Sequence, residues 1–148
     1  MQAMLDAVRA TGASNVVVLG GVQWANTIWS TSTDNWLRWR PVDPLNNLVA
    51  SFHAYQNTWC RDVACYDREV APVAAQVPVI AGEFGHTACD ANFMNTLMNW
   101  MDARGLGYLA WTWNTWGASC GSIALVTSLD GTPTQLGQIY KSHLALLP

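Results

Sequence analysis

Glu83 is one of only two glutamates in the sequence, against eight aspartates. It closes the run V-P-V-I-A-G-E-F-G, so a carboxylate projects from the end of an apolar, strand-like segment. A charge in that place is costly unless it is hydrogen-bonded or opens onto a cleft. A solvated strand-end ion pair is the plainer alternative. His53 and Tyr55 stand two residues apart in S-F-H-A-Y, on one face of a strand. From one face they can hydrogen-bond a carboxylate or a sugar hydroxyl. The competing reading is a satisfied core histidine beside a rim tyrosine. Trp111 and Trp113 alternate in G-Y-L-A-W-T-W, Trp116 follows, Trp24 and Trp29 come after the first apolar run, and Trp59 comes after the second. An indole offers a flat apolar face with one donor, and the C–H face of a pyranose matches it. Asn26, Gln23 and Asn114 add uncharged groups suited to hydroxyls. Among the nine tryptophans, Trp100 belongs to a helix stripe and the core, and Trp36 and Trp39 are expected to pack a loop.

Other chemistries find little support. His86 and His143 have no partner at metal-ligand spacing, so no metal is expected. L-G-G-V-Q-W is neither a G-x-G-x-x-G fingerprint nor a phosphate loop, and no G-x-S-x-G elbow is present. No cofactor is implied. Glu69 falls at a helix start and is expected to face solvent.

The elements that must position these groups alternate. Residues 2–11 have helical spacing of Met4, Leu5 and Val8, with Gly12 as a stop. V-V-V-L-G-G reads as a strand buried on both faces. Residues 22–48 are a long loop with a short helix over 34–39, capped by Asp34. Strands follow at 48–54, 77–85 and 107–113. Helices are expected over 66–76, interrupted by Pro72, over 91–104 with a stripe of Phe93, Leu97, Trp100 and Met101, and over 134–147. His53, Glu83 and Trp113 recur at an interval of 30 residues, which suits repeated βα units and a parallel sheet. Such a sheet gathers all strand C-termini on one rim, where α/β folds place their sites.

The chain has 148 residues, enough for one domain over 1–148. Apolar residues make up 51% and charged residues 11%, which excludes a disordered chain. Net charge is −3 with no basic run, so nucleic acid is not an expected partner. No apolar stretch reaches membrane-spanning length, so no membrane is expected either. Cys60, Cys65, Cys89 and Cys120 are expected to pair 60 with 65 and 89 with 120. Free thiols or other pairings are the alternatives, together with a four-thiolate zinc site, for which a C-x2-C knuckle is lacking. Paired cysteines point to an oxidising, secreted setting. Met1 leads straight into a helical segment, so any leader has been removed or the chain is a piece of a longer one.

Together these segments resemble the C-terminal half of a glycoside hydrolase family 5 endoglucanase. The matching pieces are L-G-G-V-Q-W-A-N at 19–26, S-F-H-A-Y at 51–55, V-I-A-G-E-F-G at 79–85, Y-L-A-W-T-W-N-T-W-G at 108–117, and the segment at 128–144. The resemblance implies strands five to eight of a (β/α)8 TIM barrel, hence an α/β half barrel. It implies that Glu83 is the catalytic nucleophile, that Tyr55 hydrogen-bonds it, and that His53 contacts the sugar at the cleavage point. Trp113, or Trp111, matches a tryptophan platform, and Asn26 and Trp24 lie near the end of the fifth strand. The cysteine pairs also look like those of some bacterial members. The implied substrate is a β-1,4-glucan polysaccharide or oligosaccharide.

The departures from the family pattern are as informative. The acid/base glutamate of the family stands in an Asn-Glu-Pro motif, and this sequence has none. A retaining glycosidase needs two carboxyl groups about 5–5.5 Å apart. Asp34 and Asp130 are rim candidates without motif support. A half barrel also exposes sheet edges and an apolar interior, so the expected partner is a second copy forming a homodimer, or a complementary half barrel. A non-catalytic β-glucan-binding protein, using the tryptophan rim alone, is the alternative function.

Overall fold

The computed structural model describes residues 1–88, 91–117 and 122–148. Four parallel strands form one sheet in chain order: β1 (Val17–Gly20), β2 (Leu48–Tyr55), β3 (Val79–Gly85) and β4 (Gly107–Ala110). Helices lie before, between and after them: α1 (Gln2–Ala10), α2 (Trp36–Trp39), α3 (Val63–Cys65), α4 (Ala71–Ala74), α5 (Asn92–Asp102) and α6 (Gln135–Leu144). Consecutive parallel strands require such crossovers, and their C-termini share one edge.

One face of the sheet carries the core. Ala50, Phe52 and Ala54 of β2 and Val79, Ala81 and Phe84 of β3 are buried against the helices, with Leu97, Met98 and Met101 of α5 beneath them. The stripe expected on α5 is therefore the core stripe, and Trp100 belongs to it. The other face stays open. Val18 is 53% exposed and Leu109 55%, which corrects the expectation that the first apolar run is buried on both sides: helices cover only one.

Four local expectations are also corrected. The short helix α2 is capped by Asn35, whose side chain accepts from the Arg38 N–H, and not by Asp34. Trp36 packs inside, donating Nε1 to the Leu19 carbonyl (2.9 Å), whereas Trp39 is exposed. Pro72 does not interrupt its helix. A π-helical stretch, Tyr66–Val70, joins α3 to α4, and Pro72 falls in the first turn of α4, where a missing N–H is tolerated. Finally, β4 stops at Ala110, so Trp111 and Trp113 are not strand residues. The backbone of Thr112 leaves the sheet to pair with Ile123 and Leu125.

Cys60 and Cys65 form a disulfide. Cys89 and Cys120, expected to form the second, lie outside the described residues.

Candidate active site

The two central strands bring Glu83, His53 and Tyr55 together through an irregularity of register. Phe52 pairs with Ala81, but the next residue, His53, pairs with Glu83, so Gly82 is the extra residue of a bulge. The same shift appears against β4, where Ala81 pairs with Tyr108 and Phe84 with Ala110. Regular alternation would send Glu83 to the helix-covered side with Ala81. The bulge leaves Ala81 and Phe84 both in the core and turns Glu83 to the open side. A Cβ on Gly82 would press on the Ser51 hydroxyl, which would have to move.

On the open side the Tyr55 hydroxyl donates to Glu83 Oε2 at 2.8 Å. His53 Nδ1 lies 3.4 Å from the same oxygen, with both side chains about a quarter exposed, 24% and 27%. No hydrogen bond among the described residues reaches Glu83 Oε1. Burial first, and then the adjacent carboxylate, push the Tyr55 phenol well above its ordinary pKa, so it remains a proton donor. The ring is fitted closely: a Cβ on Gly85 would sit 3.1 Å from Tyr55 Cε1 and 3.0 Å from the Trp111 carbonyl oxygen. This arrangement offers a carboxylate with one oxygen held and one open, beside an imidazole. It suits nucleophilic attack or proton transfer.

The loop after β1 locks onto the site from one side. Gln23, Trp24 and Ala25 all have positive φ, at 55°, 61° and 59°. Three successive left-handed residues that are not glycine are energetically unfavourable and persist only where neighbours enforce them. Here the Val22–Thr27 bridge closes the turn, and the Ala25 carbonyl accepts from the His53 N–H at 2.9 Å. The turn presents Trp24 at 90% exposure. Asn26 spends its amide Nδ2 on the Gln23 carbonyl (3.0 Å), and its buried Oδ1 has no partner among the described residues. On the opposite side Trp111, Trp113 and Trp116 are exposed, and Gly131 lies against the Trp113 ring. Trp24, Trp111 and Trp113 thus stand on the rim without hydrogen-bonding Glu83.

Glu69 corrects its expectation outright, for its side chain is not solvated but buried. Thr31 donates to it through its N–H (3.0 Å) and its hydroxyl (2.6 Å), and Arg68 through Nε (2.9 Å). Sequence reasoning missed it because its partner Thr31 lies in a distant loop. His143 is a structural residue, paired with Asp102 at 2.6 Å. Among the described residues no three His, Cys, Asp or Glu side chains converge on a metal-sized site, and no helix is long and apolar enough to cross a membrane.

The family model described as Cellulase (glycosyl hydrolase family 5) matches residues 1–117. A β-mannanase/endoglucanase A of Caldicellulosiruptor saccharolyticus is 28% identical over 143 residues, covering 94% of this chain and 10% of that protein. A mannan endo-1,4-β-mannosidase of Streptomyces lividans is 27% identical, covering 82% of this chain and 32% of the relative. The crystal structure of a β-glucanase from Saccharophagus degradans in complex with cellotetraose superimposes with a TM-score of 0.76 at 16% identity, over 97% of this chain and 45% of that one. This chain therefore spans about a tenth and a third of the two curated relatives and just under half of the solved structure. Its four-stranded parallel sheet is half of a TIM barrel.

Proposed function

Because this chain belongs to glycosyl hydrolase family 5, we propose that it carries the nucleophile side of a retaining glycanase site acting on β-1,4-linked glucan or mannan. The observation that supports this reading is the Tyr55 hydroxyl on Glu83 Oε2 at 2.8 Å, with Oε1 left open. In this mechanism the open oxygen attacks the anomeric carbon. The bond from that carbon to the leaving oxygen breaks through an oxocarbenium-like transition state, and the leaving oxygen takes up a proton. The product is a glycosyl ester on Glu83, which water then cleaves. Tyr55 steadies the carboxylate charge and fixes its orientation. His53 orients a sugar hydroxyl, and Trp113, Trp111, Trp24 and Asn26 line the path of the polysaccharide.

The proton comes from elsewhere. The sequence has no Asn-Glu-Pro, and Glu69 is committed to Thr31 and Arg68. A complementary half barrel covering the open sheet face, on this polypeptide or another, supplies it, since a second copy of the chain brings the same sequence without that glutamate. Exposed Val18 and Leu109 on that face fit such a partner. The Cys60–Cys65 disulfide fits secretion. Family membership favours hydrolysis over binding alone, and names of the relatives include both glucanase and mannanase, so both substrates stand.

The test bypasses the missing proton donor. An activated 2,4-dinitrophenyl β-cellobioside or β-mannobioside has a leaving group that needs no protonation. The chain is expected to release dinitrophenolate and to carry one glycosyl mass on the peptide containing Glu83, with both signals lost in Glu83→Gln. A glycosyl adduct on another residue, or none with either substrate, would overturn the assignment.

A further inference from the structure

The turn after β1 is closed backbone against backbone. A Cβ on Gly21 would run into the Thr27 carbonyl, so the chain doubles back there with no room for a side chain. Between these residues Gln23, Trp24 and Ala25 hold their left-handed φ values, and the Asn26 N–H donates to the Gln23 carbonyl at 3.0 Å. Both ends of the turn are anchored. β1 leads into it, Ile28 beyond it is buried, and the Ser30 N–H donates to the Glu69 carbonyl at 3.2 Å. A left-handed run without glycine is unfavourable in itself, and it persists only where its surroundings over-determine it.

The turn in its place holds the backbone of His53. Along β2 successive N–H groups point to alternate neighbours. The Ala50 N–H donates to the Pro78 carbonyl on the β3 side (2.9 Å), so the His53 N–H, three residues on, faces β1. By then the β1 ladder has ended, its last pair being Gly20 with Ser51. The Ala25 carbonyl accepts from this donor at 2.9 Å, and on the other side His53 is in register with Glu83. The strand end that carries the imidazole is therefore held from both sides, with Nδ1 3.4 Å from Glu83 Oε2. Gly20 gives the acceptor its room: a Cβ there would come within 2.9 Å of the Ala25 Cβ. That Cβ is rigid on its backbone, so relieving the overlap means moving residue 20 or residue 25.

We infer that Ala25 is a positioning residue for glycosyl transfer to Glu83: its carbonyl, set by the left-handed turn, fixes the His53 backbone and with it the imidazole that orients the sugar. This rests on the glycanase reading of Glu83 and deepens it. Small displacements matter, since misplacing a group by about 1 Å costs up to about 100-fold in rate.

Gly20→Ala tests the inference by pushing on Ala25 while leaving the side chains of His53 and Glu83 intact. Glycosyl-ester formation from a dinitrophenyl β-cellobioside or β-mannobioside is expected to slow by about threefold to thirtyfold. Adding Ala25→Gly removes the obstructing Cβ and accepts the positive φ, so the double variant should recover most of the rate. In a His53→Ala background, Gly20→Ala should change the rate by less than about twofold, because no imidazole remains to be placed. Ala25→Val crowds the same contact from the other side and gives a second probe, with urea unfolding confirming that each variant is folded. Equal slowing with and without the imidazole, as when Trp24 on the same turn is what moves, would overturn the role of Ala25. So would a failure of Ala25→Gly to restore the rate. A readout without turnover separates this inference from the reading it rests on. In a long-range 1H–15N spectrum of the three imidazoles, Gly20→Ala should shift the His53 signals, assigned by their loss in His53→Ala. Unmoved signals would overturn the role of Ala25 whatever the ester experiment says of Glu83. Shifted signals in a chain that forms no ester would keep the tie between Ala25 and His53 and overturn the glycanase reading.

Discussion

Glu69 and Glu83, the two glutamates of the chain, each accept a hydroxyl proton at close range and each have a nitrogen of a basic side chain nearby. The similarity ends at their oxygens. Both oxygens of Glu69 are occupied, by Thr31 and Arg68, and its side chain is 1% exposed. That carboxylate ties the loop after β1 to the helical segment after β2, and its saturation leaves nothing for a substrate. Glu83 has one oxygen taken by Tyr55 and approached by His53, and its other oxygen is open on the uncovered side of the sheet. A structural carboxylate is recognised by complete satisfaction, a reactive one by a vacancy beside fixed partners.

Substitution by the neutral isostere separates the two most sharply. Glu83→Gln is expected to lower release from dinitrophenyl glycosides by about 10³-fold or more, as loss of a nucleophile does. Its free energy of unfolding in urea should stay within about 0.5 kcal/mol of that of the unaltered chain, since the group is partly solvated. A large loss of stability would make Glu83 a structural residue like Glu69.

Tyr55→Phe probes the one fixed oxygen. A hydrogen bond to a charged group is worth about 1.5–3 kcal/mol, so the rate of glycosyl-ester formation should fall by about 10- to 100-fold. An unchanged rate would mean that the Tyr55 contact does not act in the reaction.

Glu69→Gln should show the opposite signature, a loss of about 2 kcal/mol in urea unfolding. Burial alone raises the pKa of Glu69, but the Thr31 and Arg68 hydrogen bonds outweigh it and hold the group below its ordinary 4.5. Its stabilisation is therefore complete above about 4.5 and is lost as falling pH passes through the lower folded value. The unfolding curves of the two chains should converge below that pH. A gap that stays constant into acid would refute the charged role.

The smallest effect is expected on the rim. Trp113→Ala should weaken glucomannan binding by about threefold to tenfold, while Trp39→Ala, exposed but placed on α2 between β1 and β2, should change it by less than about twofold. Equal losses from both would mean that exposed tryptophans bind without regard to position.

Much of this contrast was legible in the residues. The alternation of His53 and Tyr55 put both on one face because strand side chains repeat every second residue. The α5 stripe was legible because Phe93, Leu97, Trp100 and Met101 share one helical face. The role of Glu69 was not legible, since Thr31 lies 38 residues away and no local pattern announces such a pairing. The end of β4 was not legible either. The apolar spacing of G-Y-L-A-W-T-W runs past the point where Thr112 exchanges its sheet partners for Ile123 and Leu125.

By itself the sequence determined the parallel βα order, the shared face of His53 and Tyr55, and the presence of a carboxylate, an imidazole and a phenol at neighbouring strand ends. Local periodicity and the 30-residue interval carry that information, because hydrophobic burial acts on whole faces. Tertiary structure decided that Glu83 turns to the open side. Strict alternation from Ala81 would have buried it, and the bulge at Gly82, packed against Ser51, moves it beside Tyr55. A register shift depends on contacts between strands rather than on the order of residues within one, so it is set only when the sheet assembles.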